Sequence, residues 1–109
     1  MSDWHKVGQV DDVPTNGGAC VKIEDVQIAI FNFKARDEWF ATQNLCPHRQ
    51  EMILSRGMIG DANGEPKVAC PYHKRNFSLK TGKCLTDEEC ESIKTYRVKV
   101  EGGDVFVEL

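Results

Sequence analysis

Lys67-Val68-Ala69-Cys70-Pro71-Tyr72-His73 is a short, mostly apolar run that ends in a thiol, a proline and an imidazole. The run reads as a strand. Pro71 presets one φ of a turn directly after it, which brings Cys70 and His73 to one side of a loop tip. Cys46-Pro47-His48 uses the same device upstream. There the two side chains are two residues apart, and Pro47 favours extended backbone before it, so both can point the same way. Residues 49–69, between the two segments, are enough for a hairpin or a small helix.

Outward from these segments the pattern is almost all strand. Trp4 to Val10 alternates in part before Asp11-Asp12 and Pro14. Ala19–Ile23 and Val26–Phe33 alternate on either side of the turn pair Glu24-Asp25, and Glu38–Thr42 follows with Trp39 and Phe40. Asn76–Leu79 and Cys84-Leu85 flank Lys80-Thr81-Gly82-Lys83 as a tight hairpin. Ile93–Val100 reads as one strand with Tyr96, Val98 and Val100 on one face, and Gly102-Gly103 turns it back into Val105-Phe106-Val107. Only Gln50–Leu54 suggests a helical turn. Many short strands with frequent turns predict an all-β fold, an antiparallel sandwich or barrel. The length of 109 residues predicts a single domain, 1–109, with loops at about 45–51 and 70–76.

Two thiolates and two imidazoles suit two kinds of metal centre. One is a [2Fe–2S] cluster with Cys46 and Cys70 on one iron and His48 and His73 on the other. The other is tetrahedral zinc. Zinc templates place two Cys together and then two His together, which the order Cys-His, Cys-His fits poorly. Unliganded core or surface residues are the bland reading, yet two of only three His sit in these Pro-bearing motifs. His5, alone near the start, reads as a surface residue.

A net charge of −3 gives no reason to expect nucleic-acid binding. No apolar run approaches the length of a membrane span, and the first residues lack a signal-peptide pattern, so a cytoplasmic, reducing setting is expected. Five cysteines, an odd count, argue against a closed disulfide framework. Cys20 reads as a small core residue. Cys84 and Cys90 flank an acidic stretch; they can pair on oxidation, but a reducing setting argues against it.

The chain resembles Rieske-type ferredoxin domains over nearly its whole length: Trp4, Asp11-Asp12-Val13-Pro14, both ligand segments and Phe77-Ser78-Leu79-Lys80-Thr81-Gly82-Lys83 carry the likeness. Leu54–Asp61, Gly64–Ala69 leading into Cys70–Arg75, and Ser92–Tyr96 resemble the small subunits of assimilatory NAD(P)H-dependent nitrite reductases. The resemblance implies a Rieske-like sandwich whose two loops hold a [2Fe–2S] cluster through Cys46, His48, Cys70 and His73. It also implies an electron-transfer or stabilising partner of a large subunit that carries FAD, a [4Fe–4S] cluster and the sirohaem where nitrite becomes ammonium. This chain has no Gly-rich dinucleotide fingerprint, and Gly17-Gly18 and Gly102-Gly103 read as turns, so it is not catalytic alone. Other readings are a stand-alone Rieske ferredoxin feeding an oxygenase and a cluster-free structural subunit.

In high-potential relatives an extra Cys in each ligand segment forms a brace, and Ser and Tyr follow the second His. Here Glu51 and Tyr72, and Arg75 and Phe77, stand at those places. Fewer hydrogen bonds to cluster sulfur imply a potential at the low end of the Rieske range, about −150 mV. Arg49, Lys74 and Arg75 flank the ligands, either as a solvated rim or as a docking patch for an acidic surface.

Overall fold

Val26–Phe33 (β3) is the strand on which everything else is laid. In this computed structural model its first two residues are partly or fully open and its last six are buried. Successive side chains of a strand point to opposite faces, so a run buried at every position must be covered on both. Ile28 and Ile30 enter one apolar cluster; Ala29, Phe31 and Phe33 enter the other. The structure describes residues 4–34, 37–46, 51–62, 64–71, 76–86 and 91–108, and of residues 46, 51 and 52 the backbone alone.

β3 pairs antiparallel with Gly17–Ile23 (β2) and Glu38–Gln43 (β4), and the sheet closes on Thr95–Tyr96 (β10) in the order β10-β4-β3-β2. Trp4–Gln9 (β1), Asp104–Glu108 (β12) and Val98–Glu101 (β11) form a second sheet in the order β1-β12-β11. Val105 and Val107 of β12 meet Ile28, Ile30 and Ala41 in the first cluster. This half of the molecule is the expected antiparallel sandwich.

The other half carries the loops. Leu45–Cys46 (β5) and Glu51–Met52 (β6) pair as a small hairpin. Met58–Ala62 (β7), Glu65–Ala69 (β8) and Asn76–Ser78 (β9) form a three-stranded antiparallel sheet. Its inward residues Val68 and Phe77 join Ile53, Leu54, Cys70, Leu79, Cys84 and Ile93 against Ala29, Phe31 and Phe33. The two cores thus share one strand.

Three readings change. The expected single strand Ile93–Val100 is two, because β10 belongs to the sheet of β4 and β11 to that of β12. The chain crosses between sheets at Arg97, and alternation alone does not reveal the crossing. The helical turn lies at Leu54–Arg56 as one 3₁₀ turn, while Glu51–Met52 is strand. A second 3₁₀ turn, Val10–Asp12, takes the end of the expected strand Trp4–Val10; Met58–Ala62 and Glu65–Ala69 form the hairpin that residues 49–69 have room for. The Gly102-Gly103 turn is as expected: both glycines have positive φ, 59° and 83°, the combination that a two-residue hairpin favours.

Phe31 is fully buried between β2, β4 and the loop-bearing half. Phe31→Ala is expected to cost about 3–5 kcal/mol, read as a lowered urea midpoint with an unchanged slope.

Candidate metal centre

Both cysteines of the predicted ligand set stand at or next to the end of a strand. Cys46 is the last residue of β5, and Cys70 directly follows β8. His48 and His73 lie outside the described residues, as do Arg49, Lys74 and Arg75. Cys70 is 1% exposed, belongs to no disulfide and sits in the apolar cluster with Ile53, Leu54 and Phe77.

The loops are held near each other by a short link. β6 ends at Met52 and β7 begins at Met58, which pairs with Ala69, the residue before Cys70. Residues 53–57 therefore span the distance from the first loop's base to the second. Gly57 allows the closest approach: a Cβ there would collide with the Ala69 carbonyl oxygen and lie 2.8 Å from a Val68 methyl. At Gly18 of β2 a Cβ would lie 2.7 Å from the Ser55 carbonyl oxygen. The 3₁₀ turn is thus pressed between the scaffold and the second loop's strand.

Asn44, two residues before Cys46 and 1% exposed, ties this arrangement together. Its carbonyl accepts from the Ile53 and Leu54 amides, both at 3.0 Å, and its amide donates to Gln27 O at 3.1 Å. Asn44 Oδ1 accepts from the Ser55 amide at 2.8 Å, while Nδ2 donates to Gln27 Oε1 and Cys20 Sγ, each at 3.3 Å. Gln43 braces the next residue: its Nε2 donates to Leu45 O at 2.7 Å and its Oε1 accepts from Lys94 N at 2.8 Å. Buried amides left without partners are costly, so these bonds fix the chain on both sides of the first loop. No sequence motif announces Asn44 or Gln43; their role comes from partners far away in the chain.

Three minor expectations are corrected. Cys20 is exposed, because in β2 it is Ala19, Val21 and Ile23 that face the core. Its thiol, tucked against Gln27 and Asn44, is pushed above its ordinary pKa by desolvation. His5 is half-buried in β1. Cys84 is disulfide-bonded, to a partner whose side chain lies outside the described residues; Cys90, the partner considered from sequence, is also outside them.

The donor chemistry fits a [2Fe–2S] cluster. Cys70 lies buried in an apolar cluster, which suits a thiolate-bound iron shielded from water, and in sequence each cysteine is followed within three residues by a histidine. A family model described as the Rieske-like [2Fe-2S] domain matches residues 3–108, and the chain belongs to that family. Within it, the chain is 38% identical over 105 residues to the nitrite reductase (NADH) small subunit of Escherichia coli K12, covering 96% of each protein. The solution structure of the E. coli protein NirD superposes with a TM-score of 0.88 at 37% identity, over 100% of this chain and 98% of that one. The chain also matches 9% of the far longer nitrite reductase [NAD(P)H] of Emericella nidulans, at 42% identity over 91% of its own length. Ferredoxin subunits of aromatic-ring dioxygenases match over a similar span.

Asn44→Ala removes the acceptor for Ser55 N and the donor to Gln27. It is expected to destabilise the fold by about 1–3 kcal/mol and to speed hydrogen exchange at Ser55 selectively.

Proposed function

We propose that the chain is the small subunit of an NAD(P)H nitrite reductase, working as electron-transfer or stabilising partner of a large subunit that reduces nitrite to ammonium. The observation that carries this reading is the placement of Cys46 and Cys70 at the ends of β5 and β8, with only residues 53–57 between the two loop bases. It is supported by the near full-length likeness to nitrite reductase small subunits and by the long fungal enzyme that holds a matching domain in its own chain.

In this reading Cys46, His48, Cys70 and His73 hold a [2Fe–2S] cluster, and residues 1–109 work as one Rieske-type domain. When bound, the cluster supplies one-electron transfer. The chain's own part is mechanical and dielectric. Asn44, Gln43 and Gly57 hold the loop bases at fixed separation, so that a change of charge at the tips meets little rearrangement. Leu54, Val68 and Phe77 keep water from the Cys70 side. FAD, sirohaem and a [4Fe–4S] cluster belong to the large subunit. Among the described residues no helix is long and apolar enough to cross a membrane; the cytoplasmic setting is part of the nitrite reductase reading and rests on the likeness to its small subunits.

Phe77 also bears on the potential. It is fully buried, shares the cluster of Cys70 and carries no hydroxyl to donate toward sulfur. The low end of the Rieske range, about −150 mV, follows.

Protein made with iron and kept from air is expected to bind about two irons per chain and to give a rhombic EPR signal on reduction. Cys70→Ser is expected to lose both while keeping its far-UV circular dichroism. Wild-type protein with no iron and no signal defeats the cluster assignment.

Phe77→Tyr is expected to raise the midpoint potential. One added hydrogen bond of about 0.5–1.5 kcal/mol corresponds to about 20–60 mV for one electron, read by a potentiometric EPR titration.

A further inference from the structure

The outer face of the β7-β8-β9 sheet is unusual where it meets the second loop. In register across the sheet it presents the row Met58, Ala69 and Asn76, followed by Gly60 and Lys67, while Ser78, next in that register, is buried. Met58 is 79% exposed, far above Val26 and Val100, the other large apolar residues open to solvent among those described. The small side chain of Ala69 leaves a hollow beside it. The resulting cleft, of about 500 Å³, is lined by Arg56, Met58, Lys67, Ala69, Cys70, Pro71 and Asn76.

Charge is what sets this cleft apart. The whole chain carries −3, yet among the described residues the lining holds two cations and no carboxylate. Lys67 Nζ is anchored to Asn76 Oδ1 at 3.1 Å, so its charge is fixed at the wall. The apolar groups on the outer face of the β1-β12-β11 sheet provide a contrast. There Lys99 Nζ lies 4.5 Å from the Trp4 ring centroid and 5.6 Å from that of Phe106, so the protein's own cation covers the aromatic faces. Among the described residues no cation lies over Met58 in this way, and its side chain stays open to solvent. An open methionine is a soft, adaptable contact that binding surfaces favour.

We propose that this cleft is the docking site for the large subunit of nitrite reductase, receiving an apolar side chain flanked by carboxylates. The inference rests on the functional reading above and adds where the partner sits. Apolar contact with Met58 supplies affinity, and Arg56 and Lys67 supply orientation and salt-dependent encounter. Cys70 and Pro71 line the same cleft, so a partner seated there lies against one of the candidate ligand cysteines. The fungal enzyme fits this, since a domain like this one shares a chain with the remainder of that nitrite reductase.

The test is binding of cluster-loaded protein to its cognate large subunit by isothermal titration calorimetry, at low and at moderate salt. Met58→Glu is expected to weaken binding at least tenfold, with the melting temperature and EPR signal unchanged. Arg56→Glu is expected to weaken it several-fold, more at low salt than at moderate salt. Lys22→Glu, the same charge change on exposed β2, is expected to bind as wild type. If Met58→Glu and Arg56→Glu both bind within twofold of wild type, the cleft is not the docking site and the functional reading stands. If Lys22→Glu weakens binding as much as Arg56→Glu, the effect is general charge and the cleft is again rejected. If wild-type protein binds no large subunit, the functional reading fails and takes the docking site with it.

Discussion

The structure depends on the double burial of β3. A strand with one wet face can slip by two residues at modest cost, whereas a strand covered on both faces has no register to slip into. Ile28 and Ile30 are claimed by the sandwich core, and Ala29, Phe31 and Phe33 by the core beneath the loops. Hydrogen bonding to β2 and β4 closes both edges as well. Disturbing β3 therefore loosens the scaffold and the loop-bearing half together.

From that strand the candidate centre is built by contacts too close for larger residues or unpaired amides. Gly18 and Gly57 let the 3₁₀ turn Leu54–Arg56 lie between β2 and β8. Asn44 then ties β3, the turn and the approach to Cys46 with both ends of its side chain and both of its backbone polar groups. Such a network is worth most when every member is satisfied, because the interior makes an unmet donor expensive. It explains how the strand ends at Cys46 and Cys70 are held in a fixed relation.

The same arrangement divides the surface by role. The sandwich sheet covers its own aromatics with Lys99 and Arg97. The loop-bearing sheet leaves Met58 open beside two cations. The open, basic and apolar features gather on the half that carries Cys70, which is where a redox partner has reason to approach, since electron transfer demands proximity.

Much of this was legible in the residues themselves. Val26–Phe33 is a strand with the bounds that alternation predicts, and the Gly-Gly hairpin at 102–103 follows from the need for positive φ. The two Cys-His segments suggest a donor set because few chemistries want two thiolates and two imidazoles, and the structure describes Cys46 and Cys70 at or next to strand ends while His48 and His73 lie outside the described residues. What the sequence could not supply is anything decided by residues far apart in the chain. The break at Arg97 exists because two sheets compete for neighbouring segments. Cys20 faces outward because the core needs the other face of β2. Asn44, Gln43, Gly57 and Met58 gain their roles only from Ser55, Lys94, Ala69 and Lys67 across the fold. Local chemistry determined what can bind; tertiary packing decided how the loops are held and which face is left open to meet a partner.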